Sequence, residues 1–145
     1  MEFEEFAKSQ AGVVAALRQM SAAGTAHGLE KALVELVKIR VSQINGCAFC
    51  LQFHLGLARK YGVEERKLGL LAAWRGAGAF DSRERTALAY AERLTLLGHA
   101  HLGAADRDAV QAVFSGSDIE QLTIAIATIN AWNRIGTALD FPPSP

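Results

Sequence analysis

Apolar residues recur at helical spacing along nearly the whole chain, and no segment shows the period of two expected of a half-buried strand. The first apolar stripe runs from about Glu2 to Met20, with Phe3, Phe6, Val13, Ala16 and Leu17 near one face, and stops at Ser21-Ala22-Ala23-Gly24. A second, about Leu29 to Gln43, carries Leu33, Leu36 and Val37, and Asn45-Gly46 punctuates the chain after it. A third begins near Cys47 and reaches Tyr61, where Gly62 suits a left-handed C-cap. A fourth spans about Glu64 to Trp74 and ends at Gly76-Ala77-Gly78.

Asp81 and Glu84 have capping-box spacing and open a fifth helix, about Ser82 to Leu97. Its exposed side is expected to hold Arg83, Glu84, Arg85, Glu92 and Arg93. A short sixth helix covers about Ala105 to Phe114. Ser117 and Glu120 form a second capping box for the last helix, about Asp118 to Leu139, which Pro142 and Pro143 end. The pattern predicts an all-α fold, a compact helical domain of about six to seven helices. The last helix has Ile119, Leu122, Ile124, Ala125, Ile126, Ile129 and Trp132 around most of its circumference. A helix that is apolar all round is buried. Either it is the central core helix or another subunit covers it.

A length of 145 residues predicts one domain, 1–145. A chain of this size buries roughly two thirds of its unfolded surface and needs no disulfide or metal to fold. Fifteen basic residues balance fifteen acidic ones, so no broad field for nucleic acid or an anionic membrane is expected. Glu2, Glu4 and Glu5 stand where a signal peptide would carry positive charge, and no apolar run is long enough for a membrane span. A cytoplasmic location is the expectation.

Composition matters most at the cysteines, of which there are two, Cys47 and Cys50. In a reducing cytosol a C-x-x-C pair points to redox or metal chemistry more than to a static bridge. At about 100° per residue, Cys47, Cys50 and His54 share one narrow helix face. Unpaired N–H groups in the first turn favour a thiolate at Cys47, whereas the i, i+4 neighbour His54 favours one at Cys50. A thiolate is the nucleophile, and a sulfenic acid formed on one sulfur can condense with the other.

Other readings stay open. The cysteines could be two small buried residues. With His54 they could supply three ligands of a metal site that His99 or His101 completes. Haem attachment is excluded because Leu51 follows Cys50, and a thioredoxin-like domain would need strands. Glu35 could pair with Lys31 or Lys38 on a solvated face. Trp74, Trp132 and Tyr90 read as core or interface residues, His27, His99 and His101 as loop residues. Asn133 and Arg134 could cap a helix or meet a neighbouring subunit. Gly76-Ala77-Gly78 lacks the lysine and strand context of a phosphate loop.

The stretch from Glu35 through Cys47 and Cys50 to His54 resembles the signature of the alkylhydroperoxidase D and carboxymuconolactone decarboxylase family: Glu, eleven residues, Cys, two residues, Cys, three residues, His. The resemblance spans roughly Glu30 to Leu97, and the segment around Asn130, Trp132, Asn133 and Arg134 looks like the small single-domain members. It implies a thiol-dependent hydroperoxide reductase. Cys50 would attack the peroxide, His54 linked to Glu35 through a water would relay the proton, and Cys47 would resolve the sulfenic acid. It further implies no cofactor, a lipoyl-type or thioredoxin-like dithiol donor, and a homotrimer or homohexamer. One departure stands out: where alkylhydroperoxidase D enzymes carry a relay His before the second cysteine, this chain has Phe49. The decarboxylase branch generally lacks the paired thiols, so both cysteines favour redox chemistry. The alternatives are a decarboxylase-like lyase and a non-enzymatic redox-sensing or metal-binding module.

Overall fold

The computed structural model describes residues 1–143, and the last two residues of the expected 1–145 domain lie outside the described residues. The described residues form eight α-helices and no strand. They are α1 (Phe3–Ser9), α2 (Ala11–Gly24), α3 (Lys31–Asn45), α4 (Ala48–Lys60), α5 (Glu65–Leu70), α6 (Ser82–Thr95), α7 (Ala104–Gln111) and α8 (Gly116–Ala138). A 3-10 segment, Leu71–Gly76, follows α5 directly.

The all-helical expectation holds, with three local corrections. The single helix expected over Glu2 to Met20 is two, because the backbone leaves helical geometry at Gln10. There Ser9 Oγ donates to the Phe6 carbonyl at 3.2 Å, a side-chain bond that competes with helix continuation. The break lets Phe6 and Val14 pack in one cluster with Phe141. The fourth expected helix tightens into the 3-10 segment with a kink at Ala73. The Arg85 guanidinium donates to the carbonyls of Trp74, Arg75 and Ala77 around that end. The last helix begins earlier than expected, capped by Ser115, whose hydroxyl accepts from the Asp118 N–H at 3.1 Å. The capping box of Asp81 and Glu84 forms as expected.

Helix α3 lies at the centre, where every residue from Leu33 to Ile39 is buried. It packs against α4 on one side and α6 and α8 on others. Burial all round explains why two charged residues, Glu35 and Lys38, sit inside the protein rather than on a solvated face. Helix α8 packs against α2, α3, α4, α6 and α7 of the same chain. Its Leu122, Ala125, Ile126 and Ile129 are thereby buried within the chain, while Ile119, Ile124 and Trp132 stay half-buried.

Two terminal turns position the site. Gly46 adopts φ +68° and ends α3, and the Cys47 N–H returns to the Ser42 carbonyl at 3.1 Å. This six-to-one closure needs a left-handed residue that glycine occupies without strain. It leaves only Gly46 and Cys47 between the end of α3 and the start of α4. After α8 the chain makes the same closure at Asp140 (φ +51°), with the Phe141 N–H on the Gly136 carbonyl at 2.9 Å. Phe141 thereby folds back onto α8 and reaches the rings of Phe3, Phe6 and Phe49.

Candidate functional site

Cys47 is the N-cap of α4, and its Sγ accepts from the Cys50 N–H at 3.3 Å. The two sulfurs are joined in a disulfide. Both cysteines are buried, at 3% and 4% exposure, within the cluster of α3, α6 and α8. One turn beyond Cys50 on α4, His54 is also buried. Its Nδ1 lies 2.6 Å from Glu35 Oε2. The resemblance implied a bridging water, but carboxylate and imidazole here touch directly. A carboxylate on one ring nitrogen fixes the ring and leaves the opposite nitrogen for proton exchange.

The other carboxylate oxygen, Glu35 Oε1, lies 3.7 Å from Lys38 Nζ, and Lys38 donates to Ser21 Oγ on α2 at 3.3 Å. Spacing brought out Cys47, Cys50 and His54, and the resemblance added Glu35; the fold gathers all four. Lys38 is the partner of Glu35 that spacing allowed, but inside the protein rather than on a solvated face; the fold adds Ser21, which spacing did not indicate because it depends on α2 closing over α3.

Beside this cluster opens a cavity of about 560 Å³, within the range of small-molecule sites. Cys50, His54, Glu35 and Lys38 form its polar end; Val34, Phe49, Phe53, Leu57, Ile129 and Trp132 supply apolar wall. Cys47 is not among the residues that line it. Trp132, expected only as core or interface, thus borders the cavity. Phe53 is 58% exposed and meets the His54 ring edge-on at 5.1 Å. Phe49 stands in the wall against Phe3 and Phe141.

Behind the disulfide, α8 passes close at Gly136. A Cβ there would lie 3.1 Å from Cys47 Sγ and 3.4 Å from Cys50 Sγ. A lone glycine within an otherwise strongly helical apolar segment costs about 1 kcal/mol, and that anomaly was the signal in the sequence. Two turns of α8 are fixed to α3 by a chain of amides. Asn45 Nδ2 donates to Asn130 Oδ1 and Asn133 Oδ1, each at 3.0 Å, and Asn133 Nδ2 donates to Ser42 Oγ at 3.0 Å. Asn133 thus joins α8 to α3, while Arg134 stays exposed and donates to Asn130 Oδ1 at 2.9 Å.

Glu92, expected on a solvated face of α6, is buried instead. It accepts from Arg40 Nε at 2.8 Å, Trp74 Nε1 at 2.9 Å and Arg75 Nη1 at 2.5 Å. Burial alone would raise its carboxyl, yet the hydrogen bonds of Trp74, Arg40 and Arg75 together hold it below the usual carboxylate range. His27, His99 and His101 are exposed, as expected, so neither His99 nor His101 sits among the buried cysteines. Among the described residues no three His, Cys, Asp or Glu side chains gather as a metal site. No described helix is long and apolar enough to cross a membrane.

The fold and site define an all-helical protein with a buried paired-cysteine centre at the N-terminus of a helix. The chain belongs to the carboxymuconolactone decarboxylase family, whose model matches residues 11–93. It is 37% identical over 105 residues to the uncharacterized protein YdfG of Bacillus subtilis (strain 168), covering 72% of this chain and 71% of that one. It is similar in structure to ATU0492 from Agrobacterium tumefaciens, a protein of unknown function provisionally assigned as antioxidant defence protein AhpD. That match has a TM-score of 0.92 and 29% identity, over 97% of this chain and 96% of the other. An uncharacterized peroxidase-related protein from Ralstonia eutropha JMP134, with an alkylhydroperoxidase AhpD core, shares the fold. The TM-score there is 0.84 at 20% identity, over 96% and 74% of the two chains. The fold is thus the AhpD-like one that the motif led us to expect.

Proposed function

We propose that this protein is a thiol-dependent hydroperoxide reductase in which Cys50 attacks the peroxide. The observation that carries this reading is the placement of Cys50, and not Cys47, on the cavity wall next to the His54–Glu35 pair. The helix-end argument had favoured Cys47, but as the N-cap it lies behind Cys50 and away from the cavity.

In the reduced protein His54 takes the Cys50 proton through the ring nitrogen opposite Glu35. The Cys50 thiolate attacks the distal peroxide oxygen, the O–O bond breaks, and the alkoxide leaves as an alcohol with the proton held by His54. Cys50 is then a sulfenic acid. The Cys47 thiol attacks it, water departs, and the disulfide forms. A dithiol donor of lipoyl or thioredoxin-like type reopens that bond by exchange. The apolar wall suits an organic hydroperoxide better than hydrogen peroxide, because desolvating a hydrocarbon tail there is favourable.

The test is hydroperoxide consumption with dithiothreitol as donor. Cys50→Ser should abolish turnover, Cys47→Ser should permit at most one stoichiometric oxidation, and Glu35→Gln should slow it about 10²-fold, the usual scale of general acid–base assistance. Unchanged turnover in Cys50→Ser rejects the reading. An activity on a lactone substrate that survives loss of both cysteines would point to the lyase alternative.

A further inference from the structure

Lys38 is a lysine with only 9% of its side chain exposed. Lysines are almost never buried without a specific partner. Its hydrogen bond goes to a neutral hydroxyl, Ser21 Oγ, at 3.3 Å, while the nearest carboxylate oxygen, Glu35 Oε1, is 3.7 Å away. Glu35 meanwhile spends its other oxygen on His54 at 2.6 Å. The three side chains form one buried line, ammonium to carboxylate to imidazole.

The charge balance of that line decides what His54 can do. A buried Glu35 carboxylate beside a neutral imidazole would leave one uncompensated negative charge, which burial penalises heavily. A buried charge of opposite sign close by offsets that cost. With the Lys38 ammonium present, carboxylate and ammonium cancel and the imidazole is free to stay neutral. We infer that Lys38 is a positioning residue for the Glu35–His54 pair: it supplies the buried positive charge that keeps His54 available to accept the Cys50 proton, and Ser21 holds it in place.

The other charged and titratable groups bordering the cavity do not duplicate this role. Helix α1 contributes Glu4 and α2 contributes Arg18, both exposed; α3 contributes exposed Lys31, and the residue that follows α4 is Tyr61. Helix α8 contributes Thr128, Ile129 and Trp132, none of them charged. Exposed charges are screened by solvent, whereas a buried neighbour is not.

The inference uses the proposed proton path but is tested without any peroxide. In a Cys47→Ser background Cys50 is the one thiol, and its iodoacetamide alkylation rate against pH reads thiolate formation directly. Removing a buried positive charge raises the proton affinity of every group near it. Lys38→Met should therefore move the acid limb of the profile to higher pH, making alkylation at a pH below the limb at least about tenfold slower. Lys38→Gln, which keeps a donor for Ser21 without the charge, should do the same and covers the case in which the Met variant fails to fold. Lys38→Arg should retain the parent profile. A profile unmoved in Lys38→Met or Lys38→Gln overturns the inference, and so does an equal shift in Lys38→Arg, which would mark a packing role. If the profiles behave as expected while no hydroperoxide is consumed, the Lys38 role stands and the peroxidase reading alone fails.

Discussion

A Cβ on Gly136 would stand 3.1 Å from Cys47 Sγ, closer than nine in ten real Cβ contacts. The sulfur has little room to retreat, because Cys47 caps α4 and is bonded to Cys50. Helix propensity alone would favour alanine over glycine in α8 by about 1 kcal/mol. We expect crowding to outweigh it, so Gly136→Ala lowers stability of the oxidised protein by about 1 kcal/mol and Gly136→Val by more. Chemical denaturation of the disulfide form measures both. A raised midpoint in Gly136→Ala would show that the α4 end yields easily.

Asn133 is 1% exposed and is bonded on both amide atoms, to Asn45 and to Ser42. Asn133→Ala would strip one hydrogen-bond partner from each of these neighbours and leave a small void. The expected cost is about 2–3 kcal/mol, since buried polar groups left unmade carry the full desolvation penalty. Asn133→Asp should be worse, because it keeps the Asn45 bond but loses the N–H given to Ser42 Oγ and buries a carboxylate charge in its place. Thermal unfolding gives the ranking, and equal stability of wild type and Asn133→Ala would contradict it.

The legible and illegible parts of this protein divide by sequence distance. Glu35, Cys47, Cys50 and His54 lie on two consecutive helices joined through one tight turn; helix spacing brought out the cysteines and His54, and Glu35 needed the family signature that this local arrangement keeps at fixed intervals. The all-α class followed equally from local periodicity. Gly136 touches sulfurs about ninety positions earlier, and Asn133 bonds Asn45 across a separation of 88; no local pattern encodes such pairs. Glu92 was misplaced for a different reason. It lies in a run of charges that looks solvated, yet Arg40 and Trp74 close over it from elsewhere in the chain. Lys38 was misread alongside Glu35 because α3 is buried all round, and a lysine on a helix ordinarily implies a wet face.

The buried Glu92 carboxylate makes stability depend on acid. Its folded proton affinity is depressed by the Trp74, Arg40 and Arg75 hydrogen bonds, which outweigh burial. A depressed carboxyl contributes stability that is fully present above its unfolded value and is lost as pH falls through the lower folded value. Glu92→Gln should therefore cost about 2–3 kcal/mol at neutral pH, because it leaves Arg40 and Arg75 without their shared anion. The gap between wild type and Glu92→Gln should narrow on acidification below the ordinary glutamate range. Urea denaturation at a series of pH values measures it, and a gap independent of pH would remove Glu92 as a source of acid sensitivity.

Phe49 occupies the position where alkylhydroperoxidase D enzymes place a relay histidine, and its surroundings show what the substitution does. Its ring centroid lies 5.2 Å from that of Phe3 and 5.5 Å from that of Phe141, so it ties the N-terminal helix and the returning C-terminus to the cavity wall. Each aromatic pair is worth about 0.5–1.5 kcal/mol beyond the area it buries. Phe49→His would trade those contacts for an imidazole among hydrocarbon rings, at an expected cost of about 2 kcal/mol. It should not raise hydroperoxide turnover, because in the proposed scheme the Glu35–His54 pair, 2.6 Å apart, carries the proton without a third group. Phe49→Leu should retain turnover while losing part of the stability, separating the wall's apolar role from its aromatic one. Melting curves and turnover on the same preparations decide the matter. A Phe49→His variant that is as stable as wild type and consumes hydroperoxide faster would show that position 49 stands within reach of the proton path after all.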